Sequence, residues 1–181
     1  GAPLSFEAGQ FVRIALDVDG ERVARPFSMV NAPSDPVLEF YGIVVPQGPL
    51  SPRLARLAPG ERLLVAPNPA GFLVLSELPE ARTLWLLSTG TGIAPFISML
   101  RAGTPWQRFE NVVLVHAVRH ARELVYPADI AKAGAKYAER LRYVSVVSRE
   151  DAAGSLRGRI PELIADASLE AAAGLELDRK S

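Results

Sequence analysis

Three short stretches of this chain carry residue types that could hold a phosphate-bearing ligand. Arg25-Pro26-Phe27-Ser28 offers a guanidinium, an aromatic ring and a hydroxyl from one segment. A planar ligand with a phosphate could use Arg25 for charge, Phe27 for stacking and Ser28 for a hydrogen bond. Gly48-Pro49-Leu50 leads into a predicted helix that Ser51 caps, Pro52 opens and Gly60 ends. The free N–H groups and positive dipole end of such a helix attract a diphosphate. Ser88-Thr89-Gly90-Thr91-Gly92-Ile93-Ala94-Pro95 joins a strand to a helix, the usual place for a nucleotide phosphate in an open α/β sheet.

Each stretch also has a plainer reading. Most capped short helices bind nothing, and a purely structural turn explains Gly90-Thr91-Gly92 nearly as well as a binding one. Pro95 also breaks the dinucleotide G-x-G-x-x-G pattern. Taken in isolation, Arg25 to Ser28 is better read as a strand with one buried ring and a surface arginine. Hydrolytic and metal chemistry find no support: there is no cysteine, and His116 and His120 are the two histidines. His116 is predicted to be a core residue at the end of a strand, and His120 a solvated loop residue.

The elements that must position these residues change character along the chain. Between residues 10 and 82, Val12, Ile14 and Leu16 alternate with Arg13, Ala15 and Asp17, the period of a half-buried strand. Asp19-Gly20 marks a hairpin. Further strands are predicted around Phe27–Val30, Leu38–Val45, Glu61–Ala66 and Phe72–Leu75, and nine prolines from Pro26 to Pro69 exclude a long helix. Short strands at this spacing suggest a small antiparallel barrel. From Thr83 onward, continuous apolar strands at Thr83–Leu87, Asn111–His116 and Leu141–Val147 alternate with helices at Ala94–Arg101, Pro127–Arg140 and Ile160–Ala167. That alternation indicates a parallel sheet covered on both faces. The fold class is therefore β barrel plus α/β, with the junction near Glu80–Arg82, dividing the chain into residues 1–80 and 81–181.

Composition narrows the partners. Formal charge is zero, so nothing points to nucleic acid or an anionic membrane. No apolar run approaches the ~18 residues of a membrane-spanning helix. Absence of cysteine fits an intracellular compartment, and the expectation is a cytoplasmic monomer. Among 20 basic residues only Lys132, Lys136 and Lys180 are lysine. Arginine forks suit phosphate, and Arg149 and Arg159 follow the third parallel strand at the edge where nucleotides bind. Their plainer role is surface pairing with Glu150 or Glu162, worth at most about 1 kcal/mol.

In this order, the pieces resemble the bacterial ferredoxin/flavodoxin–NADP⁺ reductases. The resemblance runs from Ala8-Gly9-Gln10-Phe11 to Gly158-Arg159-Ile160-Pro161. It rests on Arg25-Pro26-Phe27-Ser28, Leu38-Glu39-Phe40-Tyr41, Gly48-Pro49-Leu50-Ser51, Thr89 to Pro95, Val115-His116-Ala117-Val118-Arg119 and Val147-Ser148-Arg149-Glu150. It implies an FAD-containing oxidoreductase that exchanges hydride with NADP(H) and single electrons with ferredoxin or flavodoxin. It implies FAD contacts at Arg25, Pro26, Phe27, Ser28, Tyr41, Val44, Pro49, Leu50, Ser51 and Thr91, with Ser28 and Thr91 at the reacting edge. Val118, Arg119, Ser148, Arg149 and Arg159 would bind NADP(H). Phe27 stands where the family carries tyrosine. The resemblance further implies a barrel strand before Gly1 and NADP-domain segments beyond Ser181, so both halves are expected to be incomplete. Two other readings share the architecture: an NADH-dependent reductase component of an oxygenase, and a non-catalytic flavin-binding electron-transfer subunit.

Overall fold

The computed structural model describes residues 4–177. Strand β1 (Phe11–Val18) and strand β2 (Glu21–Ser28) pair antiparallel in full register, Phe11 opposite Ser28 and Val18 opposite Glu21. Asp19 and Gly20 both take positive φ, 52° and 85°, so the right-handed twist of the strands passes through the turn without splaying them. A two-residue strand, β3 (Leu64–Val65), pairs on the other side of β1, giving the order β2-β1-β3. Among the described residues these three strands do not close into a barrel.

Several predicted elements in this half are absent. Among the described residues the segment Leu38–Val45 makes one bridge, Met29 to Phe40, and Ile43, Val44 and Val45 are half or more exposed. Their branched side chains favour a strand, but preference for a pleated surface needs a neighbouring strand to pair with. Phe72–Leu75 is likewise no strand: Gly71 turns the chain at φ +106° and Phe72 stands exposed. The strand expected over Glu61–Ala66 shrinks to β3, and the one expected over Phe27–Val30 is the end of β2. Helix α1 is one turn, Ser51–Leu54, with Leu50 at its N-cap position. Ser51 does not cap it, because its hydroxyl accepts the Val45 N–H at 2.9 Å instead. Gly60 turns the chain five residues beyond the end of α1 at Ala55.

The second half follows its apolar pattern closely. Parallel strands β4 (Thr83–Thr89), β5 (Asn111–Val118), β6 (Leu141–Val147) and the short β7 (Leu156–Arg157) lie side by side in that order. Helices α2 (Ala94–Ala102) and α3 (Pro127–Tyr137) cover one face over Leu84, Leu86, Val112 and Leu114. Helices α4 (Ile160–Ala165) and α5 (Ser168–Ala173) cover the other over Val113, Val115, Val144 and Val146. The helix expected over 160–167 breaks at Ala167, whose φ of +64° cannot continue it.

The halves share one core. Ala8, Val30 and Leu75 from the first pack with Ile97, Met99 and Leu100 of α2. At the same seam Ser98 donates to the buried Asn31 carbonyl at 2.6 Å, and the Asn31 side chain accepts the Glu39 N–H at 2.9 Å. No described helix is long and apolar enough to cross a membrane.

Candidate functional site

At this seam two crevices open side by side. The first, about 470 Å³, runs along the end of β2 and the turn before α1. Arg25, Pro26, Phe27, Ser28, Tyr41, Pro49, Leu50, Ser51 and Thr91 all line it, so residues far apart in sequence converge there. Its volume suits a small-molecule ring system. One wall depends on glycine: a β-carbon on Gly42 would lie 2.8 Å from Phe27 Cε1, inside contact distance. Phe27 is set from behind by Phe40, edge to face with centroids 6.4 Å apart. Val44 lies outside this crevice, in the apolar groove behind Phe27 with Leu54 and Leu57.

The approach to α1 leaves donors free. Arg53 and Leu54 both donate to the Leu50 carbonyl, whereas the Leu50 and Ser51 N–H groups donate no hydrogen bond among the described residues. Such unpaired amides at a crevice wall suit an anion. The Arg25 guanidinium, exposed at the mouth, donates to the Ala24 carbonyl and has no other side-chain partner among the described residues.

The second crevice, about 530 Å³, follows the carboxyl ends of the parallel strands. Thr89, Ala117, Val118, Arg119, Ser148 and Arg159 are among the residues that line it. The ladder between β5 and β6 continues past both strands: Ser148 N–H donates to Val118 O and Arg149 N–H to Arg119 O, each at 3.0 Å. This places Arg149 beside Arg119, although Arg149 is not a lining residue. Arg119, Arg149 and Arg159 have no carboxylate partner among the described residues, so the pairing of Arg149 with Glu150 or Arg159 with Glu162 does not form. Instead Glu162 accepts the Arg159 N–H, and Glu150 accepts from Ala121 N–H and approaches His120 Nδ1 at 3.1 Å. His120 is therefore fixed by an acid rather than freely solvated. Glu150 and Glu123 are both held below the usual carboxylate range, mainly by backbone N–H groups.

The glycine turn joins the two crevices. Tyr41, Ile43 and Thr91 line both. Gly90 takes φ +51°, and the space beside Gly92 is open, so backbone can approach a ligand there. His116, fully buried as expected, reaches the Gly90 carbonyl through Nε2 at 3.1 Å. Burial lowers its pKa, so the ring is neutral and donates from Nε2. The Tyr41 phenol is pushed up by burial and by the Glu123 charge.

Sequence reading did not single out Gly42, Glu123 or Gly158 as site residues. Gly158 has a weak signal in its Gly-Arg dipeptide; its φ of +142° lets the chain turn from β7 into α4. Gly42 acts through Phe27, far back in the chain, and nothing local marks it, whereas Glu123 accepts the neighbouring Arg119 and His120 N–H groups and its place in a helical capping pattern is a local signal. No cluster of His, Cys, Asp and Glu among the described residues could hold a metal.

Comparison with known proteins gives a consistent result. Residues 86–179 match the oxidoreductase NAD-binding domain family. The chain is 50% identical over 178 residues to the flavodoxin/ferredoxin–NADP reductase of Escherichia coli (strain K12), covering 98% of this chain and 72% of that one. It is 42% identical to the ferredoxin–NADP reductase of Pseudomonas aeruginosa, over 81% of this chain and 60% of the relative. Its fold superposes on a ferredoxin NADP⁺ reductase of Neisseria gonorrhoeae, solved with FAD and NADP bound, with a TM-score of 0.92 at 33% identity. That match covers all of this chain and 73% of the other. The chain belongs to the flavodoxin/ferredoxin–NADP reductases.

Proposed function

We propose that the first crevice holds FAD, that the second holds NADP(H), and that the chain passes reducing equivalents between NADP(H) and ferredoxin or flavodoxin. The observation that carries this reading is the shared wall: Tyr41, Ile43 and Thr91 face both crevices, so two ring systems bound there would meet. On this reading residues 1–80 form the FAD-binding half and residues 81–181 the NADP-binding half. FAD, when bound, supplies hydride exchange with the nicotinamide and single-electron exchange with the protein partner.

The residues present fit both groups. Phe27 and Tyr41 give flat apolar walls for an isoalloxazine, and Pro26 stiffens the strand between Arg25 and Phe27. The unpaired N–H groups of Leu50 and Ser51, after Pro49, would donate to the diphosphate, with Arg25 adding charge. Val44 backs the Phe27 wall. Ser28 and Thr91 set position at the reacting edge, where hydride transfer needs no general base. Val118 and Ser148 bound the nucleotide, while Arg119 and Arg159, with Arg149 from the adjacent turn, would fork onto the phosphate that distinguishes NADP from NAD. A cytoplasmic, monomeric protein goes with this reading; a light-scattering mass of two chains would contradict the monomer.

The test separates NADPH from NADH. Replacing Arg119 and Arg159 together by alanine should cut the ratio of NADPH to NADH efficiency by about 100-fold, as two charge-assisted contacts are lost. An unchanged ratio would assign the second crevice to another nucleotide.

A further inference from the structure

Behind the shared wall lies a polar cluster to which the sequence motifs contribute only Glu39. Arg101, near the end of α2, is about three-quarters buried. Its Nε and Nη2 donate to the two carboxylate oxygens of Asp129 at 2.7 and 3.1 Å, and its Nη1 donates to Glu39. The other Glu39 oxygen accepts the Tyr126 hydroxyl at 3.1 Å. Tyr126 in turn meets Tyr41 edge to face, with centroids 5.7 Å apart and planes at 88°.

Two features show that the Tyr126 ring is held deliberately. Its backbone sits at φ +60° and ψ +35°, a left-handed conformation unfavourable for a residue with a β-carbon. That conformation begins α3, where the Tyr126 carbonyl accepts the Ile130 N–H, and the ring packs at the seam against Tyr41. Its phenol is pushed well above the ordinary range by burial and by Glu39, so it stays a donor. Tyr41, by contrast, lies in a segment without regular strand pairing, next to Gly42. Its only ring partner among the described residues is Tyr126.

We propose that Tyr126 is a positioning residue for the reaction: anchored by Glu39 and Arg101, its ring fixes the orientation of the Tyr41 ring where the two crevices meet. The proposal rests on the function proposed above, because it gives the Tyr41 orientation a consequence for hydride transfer. A misdirected Tyr41 would let the nicotinamide and flavin rings sit at the wrong distance, while the adenylate end of NADPH, held at Arg119 and Arg159, stays bound. Loss should therefore fall on the transfer rate and spare affinity.

The test uses Tyr126→Leu and Tyr126→Phe in the FAD-loaded protein, with two readouts. Stopped-flow reduction by NADPH should slow by at least about tenfold in Tyr126→Leu and by about threefold in Tyr126→Phe, with the dissociation constant for NADPH changed by less than about twofold. Independently of turnover, fluorine NMR of protein labelled with 3-fluorotyrosine resolves the four tyrosines. The Tyr41 line should move toward that of a free ring in Tyr126→Leu, and broaden in place in Tyr126→Phe. A Tyr41 line and reduction rate unaltered in both variants would overturn the proposal. Should Tyr126→Leu not fold, Tyr126→Phe decides alone by the same criterion. A wild-type protein that NADPH cannot reduce would count against the proposed function instead, and the fluorine spectra would still report whether Tyr126 holds Tyr41.

Discussion

The two halves of the molecule are stabilised in different ways, and the site exploits the difference. The parallel sheet is buried on both faces, with Val112, Val113, Leu114 and Val115 of its central strand fully covered. The antiparallel half has Val12, Ile14 and Met29 as the buried members of its own cluster, and leaves Ile43, Val44, Val45 and Phe72 exposed. The second crevice is therefore cut into the edge of a rigid sheet. The first is walled by the end of β2 and by loops, with Gly42 set against Phe27 and Tyr126 against Tyr41. A binding surface made of loops on a firm support is a common division of labour, and here both come from one chain and meet at one turn.

Cutting one side chain from each half should expose the largest contrast. Leu114→Ala, at the centre of the parallel sheet, should cost about 3 kcal/mol by leaving a cavity that cannot collapse. Leu63→Ala, half-buried in the antiparallel half, should cost about 1 kcal/mol. Denaturant titration measures both; equal costs would mean that the halves are not distinct in packing.

A smaller effect is expected at the wall of the first crevice. Gly42→Ala places a β-carbon against Phe27 and forces the ring to shift. FAD affinity should fall about tenfold, because the displaced Phe27 ring changes the wall the flavin would meet. The melting temperature of the FAD-free protein should stay close to wild type, because the strain falls on a loop. A titration showing unchanged affinity would remove Phe27 from the wall.

The mildest effect separates the halves by pH. Both histidines lie in the parallel half, and His116 is held neutral by burial. Its folded pKa is lowered, so the unfolded chain takes up the proton first as pH falls below about 6.5. Stability is fully present above that value and declines on acidification, by at most about 1.4 kcal/mol per pH unit. His116→Gln should flatten the decline between about pH 6.5 and 5, a window above the range where Glu123 and Glu150 titrate. An unaltered slope would place the proton uptake elsewhere.

What could be read from the sequence follows the same division. The continuous apolar strands, the helices α2 and α3 and the Asp19-Gly20 hairpin were all legible, because their burial patterns or turn residues are local. The convergence of Arg25 to Ser28, Pro49 to Ser51 and Thr91 on one crevice was legible through the resemblance as a whole, since no stretch specifies it alone. Ile43-Val44-Val45 misled because β-branched residues indicate a strand only where a partner strand exists. Ser51 misled because its hydroxyl found the Val45 amide before its own helix. His120 looked solvated because Glu150, its partner, lies 30 residues away. The roles of Gly42, Glu39, Arg101 and Tyr126 are set by tertiary contacts alone.

We propose paired sites for a flavin and a nicotinamide nucleotide across Tyr41 and Thr91, and all else depends on this pairing. Its most direct test is to load the purified protein with FAD, exclude oxygen, and follow the visible flavin absorbance as NADPH is added. The expected result is a yellow protein with one FAD per chain whose band is bleached by a single equivalent of NADPH. A protein that stays colourless after incubation with FAD, or whose bound flavin NADPH leaves oxidised, would contradict it.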